Sequence, residues 1–265
     1  MKKKMPVLFI GHGSPLNIVL ENKYTRSLTA LGKSLPKPKG IMVVSAHWLT
    51  NGTFVACMER PRTIYDFYGF PKELYDMSYP SPGAPDEAEF VTKAVRKTAV
   101  QCNLNWGLDH ASWAVLKYIY PQADIPVFEM SLDYTFNEWH PKPVQYHYDL
   151  ASELSELRNR GILIIGSGNI VHNLGLLDFE DIDSKPFNWS VEFDEQVKAN
   201  LLSRNHRDLV HYPNMGRTSS LAVPTLDHYL PMIYAIALQE NNEPLTFIHE
   251  GFQYGSISMR CFQIG

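Results

Sequence analysis

Val7-Leu8-Phe9-Ile10-Gly11-His12-Gly13-Ser14 is the stretch on which the fold turns: an apolar strand that runs straight into a histidine held between two glycines. The pattern occurs twice more. Ile41-Met42-Val43-Val44 leads to Ser45-Ala46-His47-Trp48, and Ile162-Leu163-Ile164-Ile165 leads through Gly166-Ser167-Gly168-Asn169 to Val171-His172-Asn173. In open α/β sheets, ligands bind outside the carboxyl ends of the parallel strands. Three imidazoles are therefore predicted to reach one sheet edge, where they can converge on a metal ion.

Working outward, Val- and Ile-rich runs at 6–11, 40–46, 53–58, 125–131, 161–166, 245–250 and 255–263 read as strands. Helical patterns lie between them, at 21–34, 84–99, 111–119, 142–160, 190–204 and 226–239. The alternation predicts βαβ units, hence one α/β domain over 1–265 with a central, mostly parallel sheet flanked by helices. The last two strands, linked near Gln253-Tyr254, are expected to form an antiparallel hairpin at the C-terminal end. Arg158-Asn159-Arg160-Gly161 places basic residues in a last helical turn followed by a glycine stop. Thr225 is the expected N-cap of the helix near 226. The proline- and aromatic-rich segment 59–83 reads either as a wall over a planar substrate or as a loop packed by its own rings.

The bulk properties exclude several classes. With 265 residues and 45% hydrophobic content, the chain can bury a sizeable core. It needs no metal merely to fold, so a metal site would be functional. The formal net charge of -4, with no block of like charge, gives no case for nucleic acid or an anionic membrane. The apolar run after Met1-Lys2-Lys3-Lys4 is shorter than the roughly seven residues of a secretory h-region. No stretch approaches the ~18 apolar residues of a membrane span. Cys57, Cys102 and Cys261 are widely spaced and odd in number, and are read as reduced thiols of a cytoplasmic protein.

Five of the ten histidines stand out. His12 and His47 follow apolar strands directly and are expected to be ligands. His172, in the turn after a third strand, is expected to be a ligand or a general base. His228, in Pro224-Thr225-Leu226-Asp227-His228, is expected to be a ligand near the start of a helix. His110, ahead of an apolar helix, is the fifth. His140, His147, His206, His211 and His249 are taken as structural. Histidine-rich sites suit zinc, iron or copper rather than magnesium or calcium. Spacing alone leaves a zinc hydrolase with an activated water and a non-haem iron oxygenase both open. No HExxH, CxxC, GxSxG or P-loop signature is present.

Together, GHGSP (11–15), VVSAHW (43–48), YPSPG (79–83), GLDHASW (107–113), GSGNIVHN (166–173) and PTLDHYLP (224–231) resemble the class III extradiol ring-cleavage dioxygenases. The likeness spans essentially the whole chain and is closest to the 4,5-DOPA extradiol dioxygenase branch. GHGS by itself also opens sirohydrochlorin-type chelatases. The resemblance implies Fe(II) held by His12, His47 and His228, with zinc captured readily on purification. It makes His172 the general base, which also approaches the metal, and His110 a second acid/base. His228 replaces the glutamate ligand common in the wider class. A small catechol such as L-DOPA would be opened with O2 to a semialdehyde. Tyr79, Trp48 and the 65–70 ring cluster are expected to flank the substrate. The resemblance further implies a monomer or small homo-oligomer.

Overall fold

The computed structural model describes residues 4–134 and 142–265. Its strands are β1 (Val7–Gly11), β2 (Gly40–Thr50), β3 (Thr53–Ala56), β4 (Val100–Asn103), β5 (Val127–Asp133), β6 (Ile162–Gly168), β7 (Leu245–His249), β8 (Phe252–Gln253), β9 (Ile257–Ser258) and β10 (Cys261–Ile264). Eight of them make one sheet in the order β4-β3-β5-β2-β6-β1-β10-β7, while β8 and β9 pair separately. The central four, β5-β2-β6-β1, are all parallel. β10 runs antiparallel between β1 and β7, and β3 antiparallel beside β5.

A parallel sheet is covered on both faces, so its strands must be apolar on both. β1 shows why. Val7 and Phe9 point into one core and Leu8 and Ile10 into the other. Leu28 and Leu31 of helix Lys23–Ser34, with Trp113 and Leu116 of helix His110–Ile119, fill the second core. Leu150 of helix Val144–Ser152, Val197 of helix Asn188–Ser203 and Ile233 of helix Leu230–Ala237 fill the first. No helix among the described residues is long and apolar enough to cross a membrane.

The expected α/β sheet is present, with local corrections. The helix expected over 84–99 spans Pro85–Ala94, and β4 follows where no strand was expected. The expected helix 142–160 is two helices, Val144–Ser152 and Ser155–Arg160. A tertiary contact accounts for the first break. Glu153, at the junction of the two helices, accepts the backbone N–H groups of Arg96 and Lys97 at 2.6 and 2.9 Å. That tertiary bond captures the chain just beyond Ala94. Gly161 ends the second helix in the left-handed region, as expected. The last helix begins at Leu230 rather than 226 and is preceded by Tyr229 instead of a Thr225 cap. The C-terminal hairpin exists, but its tight turn joins β8 to β9, and these bridge the longer pair β7–β10. β2 runs on through His47 to Thr50, its pairing to β5 shifting register between Val44 and Leu49.

The reading of three reduced thiols is also corrected. Cys57, just past β3, and Cys102, in β4, are joined by a disulfide with Cα atoms 5.6 Å apart. Only Cys261 is free, and burial pushes its thiol up to about 12. Because disulfides are rare in the cytosol, the ground for a cytoplasmic expectation is removed.

A candidate metal centre at the carboxyl edge of the sheet

Each of the five histidines arrives from a different segment. His12 is the residue after β1, and its N–H bonds the Gly168 carbonyl at 3.1 Å. Gly13 turns the chain away with φ +63°, a region open to glycine without strain. His47 lies within β2 at the register shift. His110 is the first residue of its helix, after the N-cap Asp109. His172 follows β6 and bridges to Ile257, with its N–H on the Ala222 carbonyl at 2.9 Å. His228 sits in the turn before Leu230–Ala237. That turn can lie on β6 because Gly168 has no side chain: a Cβ there would come within 2.2 Å of the His228 carbonyl oxygen.

The nitrogens of His12, His47 and His228 gather within 4.8 Å of one another. Their hydrogen bonds assign the tautomers. The Ser167 hydroxyl donates to the Ala111 carbonyl at 2.6 Å, so it accepts from His12 Nδ1 at 3.2 Å. His47 Nδ1 lies 3.1 Å from Asp66 Oδ2, within ion-pair distance, and His228 Nδ1 donates to Asp227 Oδ2 at 2.5 Å. With Nδ1 of His12 and of His228 carrying a proton, those two neutral rings keep a bare lone pair on Nε2. The Nε2 atoms of His12 and His47 face each other at 3.2 Å. Two ligands ~2.1 Å from one ion lie roughly 3.0–3.4 Å apart, so this spacing fits a shared cation. Burial, followed by the neighbouring imidazoles, pushes His12 and His47 well below the usual histidine range, keeping both neutral. Carboxylate–histidine pairs of this kind orient metal ligands.

His172 stands apart from that trio. Its ring stacks face to face on His228, with centroids 3.5 Å apart and planes 7° from parallel. Burial, then His228, lowers its basicity despite the opposing field of Asp227. His110 is clamped by Asp66, which accepts its backbone N–H at 2.9 Å and its Nδ1–H at 2.8 Å. Burial opposes ionisation of Asp66 and Asp227, but the histidine hydrogen bonds outweigh it and hold both carboxyls low. Behind His110, Asp109 and Glu129 form a buried acid pair. Ser45 donates to Asp109 at 2.6 Å, while the Asp109 N–H and Trp106 Nε1 each donate to Glu129 at 2.8 Å. Burial and Glu129 push Asp109 well up, and burial raises Glu129 to about 7.

Reading the sequence for histidines passed over Asp66, Asp227 and Ser167. Asp227 carried a signal, since an acid directly precedes a histidine in both Leu108-Asp109-His110 and Leu226-Asp227-His228. Only the second acid holds its own neighbour. Asp66 carried none, because it lies in segment 59–83, far in sequence from both its partners.

A cavity of about 510 Å³ opens over the histidines. Phe67, Tyr68 and Phe70 line it, so segment 59–83 does form a wall, while Tyr65, Phe67 and Tyr75 also pack on one another. Tyr79 and Trp48 do not flank the cavity. Tyr79 is buried with its hydroxyl on the Tyr120 carbonyl, and Trp48 stacks on Trp106. The other histidines take structural bonds. His147 meets the Tyr234 hydroxyl, His206 lies between Tyr148 and Gln239, His211 reaches the Arg207 carbonyl and His249 reaches Ser27. His140 lies outside the described residues.

The model of the family described as the catalytic LigB subunit of aromatic ring-opening dioxygenase matches residues 8–259. The 4,5-DOPA dioxygenase extradiol of Escherichia coli K12 is 44% identical, with 99% of this chain and 95% of that protein covered. The protein of the same name from Mirabilis jalapa is 32% identical over 92% of this chain and 90% of its own. The crystal structure of an uncharacterized protein from Escherichia coli K12 superposes with a TM-score of 0.84 at 40% identity. It covers 99% of this chain and 100% of that one.

Proposed function

This chain belongs to the LigB family of aromatic ring-opening dioxygenases, and from that premise we propose that it is an Fe(II)-dependent extradiol enzyme opening a catechol such as L-DOPA to a semialdehyde. The observation that carries the reading is the gathering of His12, His47 and His228 nitrogens within 4.8 Å, with Ser167 and Asp227 as acceptors on Nδ1 of His12 and His228 and Asp66 beside Nδ1 of His47. Those three residues hold the metal, and residues 1–265 act as one catalytic domain. Bound Fe(II) would supply coordination of the diol and activation of dioxygen. Zinc lies above Fe(II) in affinity for such a set and would compete for it.

The chain's own groups handle protons and position. His172, neutral at physiological pH, takes a proton from a catechol hydroxyl and passes it no further than its own ring. Its stacking on His228 sets that ring beside a proposed ligand, which supports the role of base, and its nitrogen also lies close enough to Asp227 and His228 to approach the metal. His110 has Nδ1 committed to Asp66, leaving a bare Nε2 that takes the proton of the diol's second hydroxyl and later returns it to the opening ring. The aromatic wall from Phe67 to Phe70 keeps the ring flat over the histidines and limits water. A small aromatic substrate and O2 suffice as partners, with the protein acting as a monomer or small homo-oligomer.

Oxygen uptake after anaerobic Fe(II) loading, with L-DOPA and a panel of catechols, tests the reading. Iron-dependent uptake with a yellow ring-opened product is expected. His228→Ala should lose iron and turnover together, while His110→Ala should keep iron and lose turnover. No uptake with any catechol despite bound iron would sink the proposal and bring a zinc hydrolase forward.

A further inference from the structure

We infer that Asp109 and Glu129, buried behind the histidines, are positioning residues: as a pair holding a single proton, they brace the segments that carry His47 and His110. The roles of those two histidines are those of the ring-opening reading, on which the inference rests.

The pair has no counter-charge. Both carboxyls are fully buried, and among the described residues neither has a lysine or arginine partner. Two carboxylates in one dry site cannot both ionise, so the pair keeps a proton. The hydrogen bonds place it. Glu129 receives a donor on each oxygen, the Asp109 N–H on Oε1 and Trp106 Nε1–H on Oε2, both at 2.8 Å. Asp109 receives only the Ser45 hydroxyl, on Oδ2 at 2.6 Å, and its buried Oδ1 has no hydrogen-bond partner among the described residues. Glu129 therefore carries the charge and Asp109 the proton, and burial with the nearby Glu129 pushes Asp109 in that direction. An aspartate ahead of a helix ordinarily caps it. Asp109 leaves the Ser112 and Trp113 N–H groups to its backbone carbonyl, at 3.0 Å each, and its side chain makes no cap bond.

The pair grips both flanks of His47. β2 leaves the β5 ladder between Val44 and Leu49, which face Met130 and Leu132, so residues 45–48 lie opposite Ser131 alone. His47 stands in that excursion. On one side of it, the Ser45 hydroxyl that bonds Asp109 also accepts the His47 N–H at 3.1 Å. On the other, the Trp106 ring that bonds Glu129 stacks on Trp48, with centroids 5.2 Å apart. His110 directly follows Asp109, whose N–H on Glu129 ties the start of that helix to β5. The His47 and His110 rings stand 4.2 Å apart between centroids, with Asp66 against the Nδ1 of each. Asp66 meets the two rings, while the acid pair holds the two backbones. A second negative charge would drive the carboxyls apart, and with them the elements that carry both histidines.

Carbon NMR of zinc-loaded protein with labelled aspartate carboxyls reads the proton directly. One aspartate should stay protonated at neutral pH, and its signal should be missing from Asp109→Asn. Asp109→Ala should weaken Zn(II) binding by about fivefold or more in competition with a chromogenic chelator. With iron and L-DOPA it should lower kcat by at least about tenfold while KM moves by less than about threefold. Asp109→Asn is uncharged and keeps an oxygen for Ser45, so it should stay within about threefold of the parent in zinc affinity and kcat. A parent protein with every aspartate ionised at neutral pH would overturn the inference. So would an Asn variant as impaired as the Ala variant, or an Ala variant that matches the parent. If Asp109→Ala does not fold, the parent's carbon signal and the Asn variant decide. Absence of oxygen uptake by the parent with any catechol would sink the ring-opening reading, and the carbon signal and zinc affinities would still judge the brace.

Discussion

In the proposed metal centre, Asp227 would act through His228. It accepts from His228 Nδ1 at 2.5 Å, fixing the tautomer that leaves Nε2 bare. Removing such a partner typically costs 10–100-fold in metal affinity. Asp227→Asn is therefore expected to weaken metal binding by about that factor in competition with a chromogenic chelator, and unchanged affinity would remove Asp227 from this role. His147 shows what a histidine does away from the centre. Buried against Tyr234, its basicity is pushed down to about 3, chiefly by burial. The folded chain keeps it neutral where the unfolded chain takes up a proton, below about pH 6.5. Its contribution is thus fully present at neutral pH and lost as pH falls from about 6.5 toward 3. His147→Gln should flatten the decline of unfolding free energy between pH 6 and 4 by about 1.4 kcal/mol per pH unit. Urea titrations at several pH values would show it, and an unchanged slope would contradict it.

At the scale of elements, the carboxyl edge is built by pairing, and the pairing extends beyond the strands. β3 and β4 run parallel, and the segments leaving them stay together: Ile64 N–H bonds the Leu108 carbonyl at 2.7 Å and Leu108 N–H the Arg62 carbonyl at 2.8 Å. One of these segments ends at Asp66 and the other at His110, which are then hydrogen-bonded to each other. The Cys57–Cys102 disulfide closes the base of that pair across 45 residues. Cys102→Ser should lower unfolding free energy by about 2–4 kcal/mol under oxidising conditions. A reductant should move the urea midpoint of the parent protein toward that of the variant and leave the variant itself unmoved. β4 escaped prediction because Val100-Gln101-Cys102-Asn103 is short and only half apolar, and the helix before it ends where Glu153 captures the chain. Local propensity holds no information about a bond made 56 residues away.

For the molecule as a whole, the metal centre is a junction of segments from residues 12 to 228, so its occupancy and the fold are linked. A ligand that binds only the folded state adds about 2.7 kcal/mol at a hundred times its Kd. A strong chelator should therefore lower the melting temperature of metal-loaded protein, and Fe(II) or Zn(II) should restore it. His228→Ala should show neither effect, and equal responses in both proteins would place the ion elsewhere.

The histidine positions and the parallel core were legible in the linear chain for a shared physical reason. A strand buried on both faces must be apolar throughout, and a polar residue directly after it must lie at the sheet edge, so Ile10–His12 and the Ile162–His172 stretch announce themselves locally. The family likeness was legible for the same reason, being carried by those strand-end motifs. What only the tertiary structure decided were the groups that act across the chain: Asp66 holding both His47 and His110, Ser167 directing His12, Glu153 ending a distant helix, and Cys57 meeting Cys102. It also decided that His172 stacks face to face on His228. Each of these depends on a distance between residues far apart in sequence, and side-chain hydrogen bonds over such separations leave no periodicity to read.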